Sequence, residues 1–85
     1  MLEVKSANHI KDYQLEILFN NGEKKIVDLK NSLQGQVFLP LQDLNLFKSF
    51  KIAFNTIEWD NGADFAPEYL YEISQPINPA KFFLK

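Results

Sequence analysis

The 85-residue chain contains no cysteine. That absence removes disulfides, thiolate nucleophiles and zinc–thiolate sites together, and it fits a reducing compartment. Arginine is missing as well: the nine basic residues are Lys5, Lys11, Lys24, Lys25, Lys30, Lys48, Lys51, Lys81 and Lys85. Guanidinium forks are the usual device for bidentate recognition of phosphates, carboxylates and guanine edges. Without them, nucleotide chemistry and sequence-specific DNA reading are not expected. His9 is the single imidazole, so there is no helical His pair for a metal. Glycine occurs only at 22, 35 and 62, each in a turn context, which leaves no phosphate-cradling loop and no nucleophile elbow. Charges run through residues 1–30, so a secretory h-region is not expected. No apolar run approaches the roughly 20 residues that span a bilayer. These features predict a cytoplasmic protein with no membrane association and no cofactor.

Large rings are plentiful, with eight Phe, three Tyr and one Trp. Each buries about 150–250 Å², so a few of them can build the core of a short chain. A hydrophobic fraction of 46% and a charged fraction of 24% fit a globular protein, and the length suits one domain over residues 1–85. Charge is segregated along it. Residues 52–80 hold Glu58, Asp60, Asp64, Glu68 and Glu72 with no lysine, a net −5, while the remainder carries +3. Such an acidic surface repels phosphate backbones; it is either a solvated face or one suited to a basic protein partner.

The hydrophobic period predicts an α+β fold: a small antiparallel sheet built from two β-hairpins, with two or three short helices packed on it. Residues 2–7 read as a short strand. Tyr13, Leu15, Ile17 and Phe19 alternate with Gln14, Glu16 and Leu18, the pattern of a half-buried strand. Asn20-Asn21-Gly22 supplies a turn, and residues 24–29 return. A two-residue loop would place Lys24 and Asp28 on the core face. A three-residue loop with Gly22 in the left-handed region pairs Leu15 with Val27 and Tyr13 with Leu29, and one step of register exchanges the two faces. Burial therefore selects the three-residue loop. A helical turn over 30–34, an extended Val37-Phe38-Leu39 interrupted by Pro40, and a short helix capped by Asp43 follow. Residues 49–54 place Phe50, Ile52 and Phe54 on one face, and an Asn55-Thr56 turn leads into Ile57-Glu58-Trp59. Asp60-Asn61-Gly62 is turn chemistry, and Pro67 opens a last helix with Glu68 in its first turn. Pro76 and Pro79 end it. The apolar tail over 76–85, with Phe82 and Phe83, is expected to be buried on the sheet or across a homodimer interface.

Taken in order, Phe19-Asn20-Asn21-Gly22, Val27-Asp28-Leu29, Leu41-Gln42-Asp43 with Phe47, and Trp59-Asp60-Asn61-Gly62-Ala63-Asp64 followed by Pro67, Leu70 and Tyr71 resemble the small bacterial domain-of-unknown-function family numbered 2442. The resemblance spans about residues 4–72. It implies a compact α+β fold with Asn21, Gly22, Asp28, Asp43, Phe47, Trp59, Asn61, Gly62, Asp64 and Pro67 as its motif, and it implies no activity. It also implies an adaptor or antitoxin-like role beside a second small protein. Some members append a helix-turn-helix, for which the dozen residues beyond the motif region are too few. Many members carry Pro in place of Asp60 and a capping Ser in place of Ala66. The second departure should weaken the last helix by about 1 kcal/mol.

Asp60 and Asp64 beside Trp59 form the most enzyme-like feature, since paired carboxylates next to a ring can do acid–base work or hold a hard cation. A structural role is favoured: Asp in a turn commonly accepts backbone N–H bonds, and a Trp on an alternating strand is most simply core. The expected function is a protein–protein interaction module whose partner, another small protein or a second copy, meets Glu58, Asp60, Asp64, Glu68 and Glu72, an exposed sheet edge, or Phe82 and Phe83. The alternative is a nucleic-acid-associated regulator using Lys24, Lys25 and Lys30, and catalysis is not expected.

Overall fold

A computed structural model describes residues 1–77; of the expected docking tail over 76–85, Phe82, Phe83 and everything else beyond residue 77 lie outside the described residues. Strand β1 (Val4–Lys11) turns at Asp12 into β2 (Gln14–Phe19), which pairs with β3 (Lys24–Asp28). A loop with two 3₁₀ turns, Lys30–Ser32 and Leu39–Gln42, leads to the single-turn helix α1 (Leu44–Phe47). A second hairpin, β4 (Lys51–Ala53) and β5 (Thr56–Glu58), precedes α2 (Pro67–Ile73) and the two-residue β6 (Gln75–Pro76). The first sheet has the order β1-β2-β3-β6, and the second consists of β4 and β5. The α+β class is thus as expected. The two predicted hairpins, however, fall in separate sheets, and the first is extended into a meander by β1.

Register follows from burial. Leu15 faces Val27 and Ile17 faces Lys25, with Phe19 N–H donating to Glu23 at 2.9 Å across the three-residue loop. Gly22 sits at φ 88°, a conformation that costs glycine little. Leu15, Ile17, Val27 and Leu29 are all fully buried, while Ile26 is half-buried on the other side. Leu33, Leu41, Phe47, Ile57, Trp59 and Leu70 join them in the core, together with Val4, Phe19, Ala63 and Phe65.

Four local readings need correction. Strand β1 runs to Lys11, well past the predicted end at residue 7, because ladder pairing with β2 carries residues 8–11 although they do not alternate. Val37-Phe38-Leu39 is not extended: Pro40, with its fixed φ, opens a 3₁₀ turn that buries Leu41. The second hairpin turns at Phe54-Asn55, one residue before the predicted Asn55-Thr56. That register pairs Ala53 with Thr56 and Ile52 with Ile57, which buries Ile57 and lets the Thr56 hydroxyl donate to the Phe65 carbonyl. It also leaves Ile52 and Phe54 exposed, so the predicted apolar face of residues 50–54 is covered only at Phe50.

Helix α2 begins at Pro67, and its N-cap, Ala66, has extended backbone and no side-chain bond to the first turn. The free N–H groups of that turn lack the acceptor a serine would supply. Ala66→Ser is therefore expected to stabilise the protein by about 1 kcal/mol, read as a higher urea midpoint. An unchanged midpoint would mean that Ser at 66 finds no N–H to accept.

Candidate functional site

The segment from β5 through α2 holds all five carboxylates of the acidic stretch. Glu58 is half-buried at the end of β5, and a backbone bridge sets it opposite Asp64. Between them the chain folds into a tight turn: Gly62 N–H donates to Trp59 O at 2.9 Å, and Trp59 N–H to Ala63 O at 2.9 Å. Asn61 locks it, with its Oδ1 accepting from Ala63 N–H at 3.0 Å and its amide donating to Val37 O at 2.8 Å. Trp59 lies beneath, 2% exposed, its indole N–H donating to Phe47 O at 2.8 Å.

The carboxylates themselves point outward. Asp60, Asp64, Glu68 and Glu72 are exposed, and among the described residues only Asp60 has an ion-pair partner, Lys51 at 3.3 Å. Glu68 and Glu72 stand four apart on α2 and so share one face of it. The backbone-accepting role expected of Asp60 and Asp64 falls instead to Asn61, whose amide can both accept and donate. No group of three or more His, Asp or Glu suited to a metal occurs among the described residues.

Most of the polar motif residues are turn builders. Asn21 Oδ1 accepts from Glu23 N–H at 3.0 Å, and Asp28 Oδ1 from Lys30 N–H at 3.0 Å. Asp43 caps α1 by accepting from Asn45 and Leu46 N–H. Gly62 adopts φ 90°. Phe47 is buried against Trp59, and Pro67 occupies the first turn of α2. Their chemistry is spent on backbone geometry.

Sequence reasoning missed two features. Lys25 is 8% exposed, facing Ile17 on the core side of β3. Its ammonium donates to Tyr71 O at 2.9 Å and lies 3.8 Å from the Tyr71 ring centroid. The Tyr71 hydroxyl donates to the Glu23 carboxylate, and this bond, more than burial, raises the phenol pKa above its ordinary 10.0. With Lys25 committed in this way, a basic patch would have to be built on Lys24 and Lys30 alone. The second is the identity of the expected exposed sheet edge, which is β1. Among the described residues β1 pairs only with β2, and outside that ladder its backbone makes one hydrogen bond, Val4 N–H to Asn55 O at 2.9 Å.

No described helix is long and apolar enough to cross a membrane. Fold and site together define a small antiparallel α+β domain whose polar motif builds turns beneath an acidic face. The chain belongs to the family described as "Protein of unknown function (DUF2442)", whose model matches residues 4–76. That match runs four residues beyond the span read from the motifs and takes in β6. No curated protein and no solved structure matches the chain.

Proposed function

We propose that the domain is a protein-binding module, an adaptor or antitoxin-like partner of another small protein, working in the cytoplasm without catalysis of its own. The observation that supports this most is the exposed run of Asp60, Asp64, Glu68 and Glu72, in which three of the four carboxylates lack a cationic or hydrogen-bonding partner among the described residues. Uncompensated charge of one sign on a rigid turn and helix raises the encounter rate with a basic surface and fixes its orientation. The free edge of β1 adds a second surface, where an extended segment could pair by strand addition.

The test is capture from the native host with the wild-type chain and with an Asp64→Lys, Glu68→Lys, Glu72→Lys variant. Surface changes of this kind usually shift stability by only about 0.5 kcal/mol each, so the variant should melt near the wild type. Loss of the captured protein from the variant is the expected result. Equal recovery by both would remove the acidic face from the reading.

A further inference from the structure

The hairpin of β4 and β5 carries two costs on one residue. Phe54 is 89% exposed, and its backbone sits at φ 53°, followed by Asn55 at φ 69°. Two successive positive φ values are what the type I′ hairpin turn needs, and Asn or Gly there is the relaxed choice. A phenylalanine in that position is strained, and its ring gains no burial in return. Backbone strain coinciding with a fully displayed aromatic marks a binding anchor better than either feature alone.

A receptor of matching character lies at the other end of the same hairpin. A cavity of about 250 Å³ is walled by Pro40, Leu41, Leu46 and Trp59, with Ser49 and Asp60 at its rim. Leu46 is 48% exposed there. Asp60, the one charged residue of that lining, is paired with Lys51 at 3.3 Å, so the slot presents no unpaired charge to an approaching surface. Trp59 lies five positions beyond Phe54, which at about 3.3 Å per residue puts knob and slot roughly 15 Å apart. Two hairpins laid side by side in opposite directions bring each knob to the other's slot. Such an arrangement is isologous and closes as a two-fold pair.

We propose that this hairpin is the interface between two copies of the chain, with Phe54 of each copy seated in the slot of Pro40, Leu41, Leu46 and Trp59 of the other. The proposal rests on the binding-module reading and deepens it by assigning the second copy a surface that meets the acidic face only at Asp60. The contact is small by the standard of stable complexes, so the dimer forms at high concentration and dissolves on dilution.

Sedimentation of the full chain from micromolar to millimolar concentration tests it, alongside Phe54→Asn, which removes the knob, and Leu46→Glu, which blocks the slot. Ser49→Lys, at an exposed position of the same slot, is a second blocking variant should Leu46→Glu fold poorly. The wild type should pass from monomer to dimer, and each variant alone should stay monomeric where the wild type is at least half dimer. Phe54→Asn should melt at or above the wild-type temperature, because asparagine tolerates the turn. An equimolar mixture of Phe54→Asn and Leu46→Glu keeps one intact knob and one open slot, and should regain dimer. A wild type monomeric throughout, variants that dimerise like it, or a mixture no more associated than its components would each overturn the proposal. So would a monomer that binds neutral phosphatidylcholine vesicles through Phe54. Capture through the acidic face is read by its own variant, so a failed dimer leaves that result standing.

Discussion

Replacing Trp59 by alanine is expected to destabilise the domain by about 3–5 kcal/mol. The ring is 2% exposed and packs against Phe47 at 5.8 Å, Phe50 at 6.5 Å and Phe65 at 6.0 Å between centroids. Its removal opens a cavity among these rings and takes the indole donor from Phe47 O. A domain of this size has a net stability of roughly 4–13 kcal/mol, so the loss is a large fraction of the whole. Trp59→Phe separates the two contributions. It keeps most of the ring and drops the N–H, leaving a buried carbonyl unpaired at a cost of about 1–3 kcal/mol. Urea unfolding followed by circular dichroism measures both. A wild-type midpoint for Trp59→Ala would show that the ring is not the centre of the aromatic cluster.

Lys25→Ala is expected to cost about 2–3 kcal/mol, because it removes a hydrogen bond from a charged donor and a cation–π contact at a buried site. Lys25→Met should cost less than half as much. The methionine refills the channel of the aliphatic stem, and Tyr71 O still accepts from the Ser74 hydroxyl at 2.9 Å. The same cluster has an alkaline signature. Tyr71 titrates higher in the folded chain than its ordinary 10.0, chiefly through the bond to Glu23. A raised folded pKa means stability that is complete below pH 10 and lost as pH climbs through the folded value. Tyr71→Phe should therefore flatten the stability profile above pH 10, as read by thermal melts. Equal melting temperatures for Lys25→Ala and the wild type would show that the ammonium contact does not hold α2 and β6 to the sheet.

The family motif and the hairpin of β2 and β3 were legible because local chemistry and burial agree there. Asn21 and Gly22 suit a turn that only one register makes compatible with burying Leu15, Ile17, Val27 and Leu29. The Asp43 cap and the Pro67 start were legible for the same reason, since each satisfies or avoids an unpaired N–H within one turn. Alternation assigns Lys25 to a face of β3 without saying what covers that face. Only the return of α2 places the Tyr71 ring and carbonyl above it, 46 residues away. Turn chemistry alone assigns the backbone-accepting role to Asp60 and Asp64. Asn61 takes it instead, because its amide also donates to Val37 O, an acceptor that only the tertiary structure brings near.

By itself, then, the sequence determined the α+β class, the family, the first hairpin's register and the acidic run, all of which rest on patterns within a few residues or on composition. The tertiary structure decided the separation into two sheets, the burial of Lys25, the open edge of β1 and the display of Phe54. Each of these is a contest between distant groups. At the second hairpin, Ile57 burial and the Thr56 bond to Phe65 O set the register. Together they outweigh the strain of a phenylalanine at positive φ, a balance that no local propensity contains.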